Sequence, residues 1–215
     1  MAGVRVIGLT GTIGSGKSVV RQLLAELGAH TVDADALVHR LYETDTALMA
    51  QLAARFGAGV VAGGRVDRQA LARAVFGAPG APADPQALAA LEAIVHPAVL
   101  RLEDQEIQAA RAAGRPACAI EAIKLVESGG SARCDELWIV VAEAHIQFQR
   151  LAARGLARRE AQQRLAAQGS PAGWIEAFVA QSTQLGRPRP VALIDNSGSL
   201  DQTREQVQRL WHGIA

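Results

Sequence analysis

Apolar residues gather in five short runs, and helical spacing fills most of the chain between them. The runs are Val4–Leu9, His30–Val32, Ala117–Ile123, Leu137–Ala142 and Val191–Ile194. They lack the apolar–polar alternation of a half-exposed strand, so they suit parallel strands covered on both faces. After the first run, Val19, Val20, Leu23, Leu24 and Leu27 mark one face of a helix. Gly28 is placed to end that helix and turn the chain into the second run. About eighty residues separate the second run from the third, too many for a plain crossover. Thr46–Phe56, Asp67–Phe76, Pro85–Val95 and Pro97–Ala113 read as helices there, with Gly77–Pro82 as a loop. A second, arginine-rich helical stretch lies between the fourth and fifth runs.

These patterns predict an α/β fold, with a five-stranded parallel sheet flanked by helices and two helical insertions. The expected sheet domain comprises residues 1–36, 116–143 and 190–215. The first insertion spans 37–115 and the second 144–189, the latter placed to act as a lid.

Composition narrows the functional classes. With 215 residues the chain suits one α/β domain with insertions, and its formal net charge is +1. That balance gives no global basic footprint for nucleic acid. No apolar run approaches the ~18 residues of a membrane span. The first residues lead straight into a strand pattern, without a signal-peptide pattern. Cys118 and Cys134 form neither a disulfide framework nor a zinc-site spacing. A reduced, cytoplasmic setting is expected, without nucleic-acid, membrane or obligate protein partners.

The chemistry enters at Gly11-Thr12-Ile13-Gly14-Ser15-Gly16-Lys17-Ser18, which fits G-x-x-x-x-G-K-[ST]. A strand precedes it and a helix follows. Backbone N–H groups and the helix dipole in such a loop attract phosphate. Lys17 can reach the β- and γ-phosphates of ATP, the Ser18 hydroxyl can ligate Mg²⁺, and the Val19 amide can still bind phosphate. The second strand ends at Asp33-Ala34-Asp35, on the edge of the sheet where ligands of parallel α/β folds bind. Asp33 is the candidate general base, with a water-mediated Mg²⁺ contact or a cap of the following helix as its plain alternatives, and Asp35 is either a substrate contact or a helix cap. Arg150 and Arg154 share a helix face that suits phosphate, with Arg164 nearby. No N-K-x-D guanine signature is present. Val191–Asp195 mimics a motor-ATPase strand but lies near the end of the chain, before Asn-Ser-Gly. A small-molecule kinase with a lid fits best.

The ordered motifs resemble the dephospho-CoA kinase family over nearly the whole length. Leu9–Ser18 is similar to that family's L-T-G-G-I-G-S-G-K-S and Asp33-Ala34-Asp35 to its D-A-D. Val66–Phe76, His96-Pro97, Gln147/Arg150/Arg154, Arg164–Gln168 and Ile194–Gly198 match further family segments in order. The resemblance implies a P-loop kinase fold with a helical CoA-binding insertion and a lid. It also implies ATP-dependent phosphorylation of the 3′-hydroxyl of dephospho-CoA, the last step of coenzyme A biosynthesis. On that reading Gly11 to Val19, Arg150 and Asn196 bind ATP, Asn196 at adenine. Asp33, Asp35, His96, Arg154 and Arg164 face the acceptor. Turn formation by Asn196 and a helix-start role for His96 are the plain alternatives. A nucleoside monophosphate kinase and a non-catalytic ATP-binding module are the competing functions. The chain departs from the family pattern at Val19, usually threonine, and in Glu121–Glu127, which stands for D-[IV]-P-L-L-[FY]-E. Lys124 there faces either substrate phosphate or solvent. Gly169–Pro190 is longer than the family's link, and Trp174, Ile175 and Phe178 predict an extra helix within it.

Overall fold

The computed structural model describes residues 3–77 and 84–214. Most of the loop expected at Gly77–Pro82 therefore lies outside the described residues. The chain divides into two compact units, Met1–Asp33 with Glu106–Ala215, and Ala34–Gln105.

The first unit is built on a five-stranded sheet in the order β2-β5-β1-β6-β7. Its strands are β1 (Arg5–Gly11), β2 (His30–Asp33), β5 (Ala117–Glu121), β6 (Glu136–Val141) and β7 (Val191–Asp195). All of its pairings are parallel. Every apolar run of the sequence is a strand of this sheet, shifted by no more than two residues at an end. β1 is buried from Val6 to Gly11, as a central strand covered on both faces must be. One sheet face packs Ile7, Leu9, Ala117, Ala119, Trp138, Val140 and Ile194 against two helices. α1 (Lys17–Glu26) contributes Val20, Leu23 and Leu24, and α9 (Leu200–Trp211) contributes Val207 and Trp211. Gly28 follows the C-cap Leu27 at φ +100°, where a side chain would be strained, and releases the chain into β2.

Between β6 and β7 run α6 (Ala144–Ala153), α7 (Arg158–Ala166) and α8 (Pro171–Gln184). α8 is the extra helix expected from Trp174, Ile175 and Phe178, capped by the Ser170 side chain with Pro171 in its first turn. Arg189 fastens it from within. Its guanidinium donates to Ser182, Gln181 and the carbonyls of Ser131 and Cys134, and stacks 4.0 Å from the Phe178 ring centroid.

The second unit contains α2 (Ala34–Thr44), α3 (Thr46–Phe56), a hairpin of β3 (Val61–Ala62) and β4 (Arg65–Val66), and α4 (Arg68–Phe76). Asp45 and Asp67 cap α3 and α4 through backbone N–H bonds. Those bonds hold the Asp67 carboxyl below its usual pKa. The expected break at Pro97 is absent: α5 runs unbroken from Pro85 to Ala112. Proline's fixed φ is itself helical, so the cost is one lost hydrogen bond and crowding of the preceding turn. Burial of Val95, Ala98 and Val99 around it offsets that cost. His96 accordingly sits in mid-helix, half-buried, and not at a helix start.

Candidate active site

The phosphate loop connects the end of β1 to the first residue of α1. Gly14 and Gly16 take φ values of +80° and +95°, the left-handed region that favours glycine. A Cβ on Gly16 would strike the side-chain amide of Asn196, and one on Gly11 the carbonyl of Val140. The loop is therefore tightly enclosed on its protein side. The Lys17 ammonium is buried and donates to the carbonyls of Gly11 at 2.8 Å and Thr12 at 3.4 Å. Ser18 is exposed in the first turn of α1, and the Val19 N–H donates to the Gly16 carbonyl at 3.0 Å. The Ser15 hydroxyl is wholly buried without a hydrogen-bond partner among the described residues.

Four side chains from distant parts of the first unit brace this loop. Arg150, in the last turn of α6, donates to the carbonyls of Gly14 at 3.3 Å, Ser15 at 3.1 Å and Asn196 at 2.8 Å. Asn196 donates its amide to Ser15 O at 2.8 Å and accepts from Thr203 Oγ1 at 2.8 Å. Gln168 accepts from the Ile13 N–H at 2.8 Å. Gln147 accepts from Thr12 Oγ1 at 3.1 Å.

Two residues expected at the nucleotide hold protein partners here. The sequence puts Arg150 at phosphate, and here its fork is engaged on the carbonyls of Gly14, Ser15 and Asn196. It puts Asn196 at adenine, but that residue is buried and both ends of its amide hold protein. Arg154 is exposed at the C-cap of α6, and Arg164 is exposed and paired with Glu160 at 2.6 Å.

Acidic chemistry lies at the carboxyl edge of the sheet. Asp33 ends β2 and Glu121 ends β5, directly opposite each other in the parallel register. Leu9, just before the loop, is the register partner of Glu121 on the other side. Arg21 reaches both carboxylates, at 2.6 Å to Glu121 and 3.4 Å to Asp33. Asp35 does not cap a helix: it is exposed within the first turn of α2, which begins at Ala34. Asp195 turns its carboxylate into the following turn, accepting from Ser197 N–H and Oγ, so it serves that turn and not a Walker-type metal site.

No cluster of three metal-ligating side chains exists among the described residues. The groups that could meet a Mg²⁺ are separate oxygens, the exposed Ser18 hydroxyl and a strand-end carboxylate. Such a set suits an ion whose other ligands are nucleotide phosphates and water.

The altered segment after β5 meets the extra helix. Trp174 Nε1 donates to Glu127 at 2.8 Å, and Gly169 leaves room for that pair. Lys124 is exposed in the turn.

The second unit has its own cavity of about 640 Å³, lined among others by His39, Tyr42, Arg65 and Arg68. Burial raises the Tyr42 pKa, and the nearby Arg68 charge partly opposes that rise.

Residues 5–175 match the family model described as dephospho-CoA kinase. The chain belongs to the dephospho-CoA kinase family. It is 44% identical over 210 residues to the dephospho-CoA kinase of Symbiobacterium thermophilum, covering 97% of this chain and 80% of that protein. It is 39% identical over 208 residues to that of Geobacter metallireducens, covering 96% and 94%. Among solved structures, TT1252 from Thermus thermophilus superposes with a TM-score of 0.73 at 34% identity, covering all of both chains. The dephospho-CoA kinase from Campylobacter jejuni shares the fold, with a TM-score of 0.65 at 19% identity, covering 97% and 96%.

The family motifs account for Gln147 and Gln168 as sequence positions, but not for their task. Sequence reasoning misses Arg21, Gln168 and Thr203 as parts of this site. A basic residue one helical turn beyond Lys17 was the available signal for Arg21. The local motif marks the position of Gln168 but not its partner, which lies 155 positions away.

Proposed function

We propose that the strand-end site of the first unit carries out phosphoryl transfer, with Asp33 as the base. The chain catalyses the family's reaction, ATP-dependent phosphorylation of dephospho-CoA to CoA, at its 3′-hydroxyl. The observation that carries the assignment of residues is the register of the sheet. It sets Asp33, Glu121 and the start of the phosphate loop on neighbouring strands at one edge.

In this reading the N–H groups of the loop and of the first turn of α1 receive the ATP phosphates. Lys17 exchanges its carbonyl partners for phosphate oxygens. Ser18 would hold Mg²⁺, which when bound offsets phosphate charge. Asp33 accepts the proton of the acceptor hydroxyl as the phosphoryl group moves, and positioning does the rest. Arg150, Asn196 and Gln168 keep the loop in its anion-ready form. Arg154 and Arg164 are both exposed and can turn toward a phosphate. The region 37–115 supplies acceptor binding. Its cavity is lined by Arg65 and Arg68, whose guanidinium forks suit the pyrophosphate of dephospho-CoA, and also by Glu43 and Asp67. His96 and Asp35 contribute on the acceptor side. Among the described residues no helix is long and apolar enough to cross a membrane. Both cysteines are buried and not joined in a disulfide, which supports a reducing, cytoplasmic setting.

Coupled ADP release tests the reading. Dephospho-CoA should elicit it and AMP or CMP should not; the reverse result would point to a nucleoside monophosphate kinase.

A further inference from the structure

Asp33 and Glu121 close adjacent parallel strands as direct register partners. Two carboxylates so placed repel each other. Arg21 stands between them. It lies four residues beyond Lys17, on the same face of α1. Its Nε donates to Glu121 Oε2 at 2.6 Å and a terminal nitrogen donates to Asp33 Oδ2 at 3.4 Å. The side chains of Arg21, Glu121 and Asp33 are 30%, 14% and 35% exposed, so the trio is partly shielded from water.

We infer that Arg21 is a positioning residue, anchored on Glu121, that holds the Asp33 carboxylate in place for the transfer. The inference rests on Asp33 being the base. The two bonds are unequal, and their inequality assigns the parts. The short bond to the better-buried Glu121 sets the guanidinium, and the longer one tethers Asp33 through a single oxygen. A planar fork can bond two carboxylates at once, whereas an ammonium on a flexible stem holds no such geometry.

The same frame ties the base to the phosphate loop. Glu121 pairs in register with Leu9 as well as Asp33, and Leu9 lies two residues before Gly11, whose carbonyl holds Lys17. Arg21 also lines an open cavity with Ser18, Val19 and Thr31, so it borders the nucleotide end of α1. α1 thus bears the phosphate lysine and, one turn on, the arginine that orients the base.

The experiment measures kcat and both KM values for the full chain carrying Arg21→Ala or Arg21→Lys, each alone and with Asp33→Asn. Misplacing a catalytic group by a fraction of an ångström to one ångström costs about ten- to a hundredfold, and Arg21→Ala should lose kcat on that scale. KM for ATP should change by no more than about twofold, because uniform binding is untouched. Arg21→Lys should fall between the wild type and Arg21→Ala. In the Asp33→Asn background, Arg21→Ala should add almost no further loss, since residues acting as one unit are non-additive. An unchanged kcat in Arg21→Ala, with Asp33→Asn impaired, overturns the role of Arg21 and leaves the base standing. An equal loss in both backgrounds also overturns it, because Arg21 would then act elsewhere. Full turnover in Asp33→Asn overturns the base, and the inference with it. Should Arg21→Ala fail to fold, Arg21→Lys decides: reduced kcat at unchanged KM for ATP supports the role, and wild-type kcat overturns it.

Discussion

Asp33 ends its strand half-buried, beside Glu121 and within reach of Arg21. Replacing its carboxylate by an amide of the same shape removes the proton acceptor together with the charge that Arg21 pairs with. Asp33→Asn should therefore lower kcat by about 10²-fold or more, the usual contribution of a positioned base, while ATP titration shows binding retained. Gly16 makes a different demand. Its φ of +95° strains any side chain, and a methyl group there would press on Asn196. Gly16→Ala should weaken nucleotide binding by about tenfold or more, since strain of about 1–3 kcal/mol falls on the loop itself. Equilibrium titration with ATP checks it, and unaltered affinity would mean the loop relaxes freely. At this scale the phosphate loop is fully legible in the sequence, because all of its groups lie within eight residues. The task of Asn196 is not. Its position in the motif is visible, but the partner of its amide lies 181 residues earlier.

Among the elements, α8 shows what helical spacing can and cannot say. Trp174, Ile175 and Phe178 identify the helix, yet only packing shows that Trp174 bonds Glu127 in the altered segment after β5. The segment that departs most from the family pattern and the helix that lengthens its link are thus joined to each other. Gln168, just ahead of that helix, bonds the Ile13 N–H of the phosphate loop. Trp174→Phe keeps most of the buried ring volume while removing the bond. It should lower unfolding stability by about 1 kcal/mol in a urea titration, as one hydrogen bond typically contributes. α5 illustrates the opposite limit: Pro97 reads as a boundary, but apolar contacts on both sides of it carry the helix through. The small β3–β4 hairpin escapes the sequence expectations because its strands are two residues each, too short for any hydrophobic period. Its signal was Gly63-Gly64, a pair whose φ values of +59° and +74° suit a two-residue turn.

Across the whole molecule, the two compact units divide the chain by element type. The sheet unit holds the phosphate loop and the strand-end carboxylates; the helical unit holds a cavity with Arg65 and Arg68. If the helical unit receives the acceptor, Arg68→Ala should raise KM for dephospho-CoA by about tenfold, the loss of one charge-assisted contact, and leave KM for ATP alone. Equal changes in both constants would remove that division. The sequence by itself determined the five strands, the phosphate loop, the helical nature of both insertions and the family. Each of these is written in local spacing or in ordered motifs: hydrophobic period, glycine at positive φ, and a loop whose donors are consecutive amides. Only the tertiary structure decided the strand order β2-β5-β1-β6-β7, the bracing of the loop by Arg150, Asn196 and Gln168, and the meeting of Arg21, Glu121 and Asp33. Those side chains come from separate elements, and their contacts follow from which strands lie side by side. Backbone pairing and core packing select that order globally, so no window of the sequence contains it.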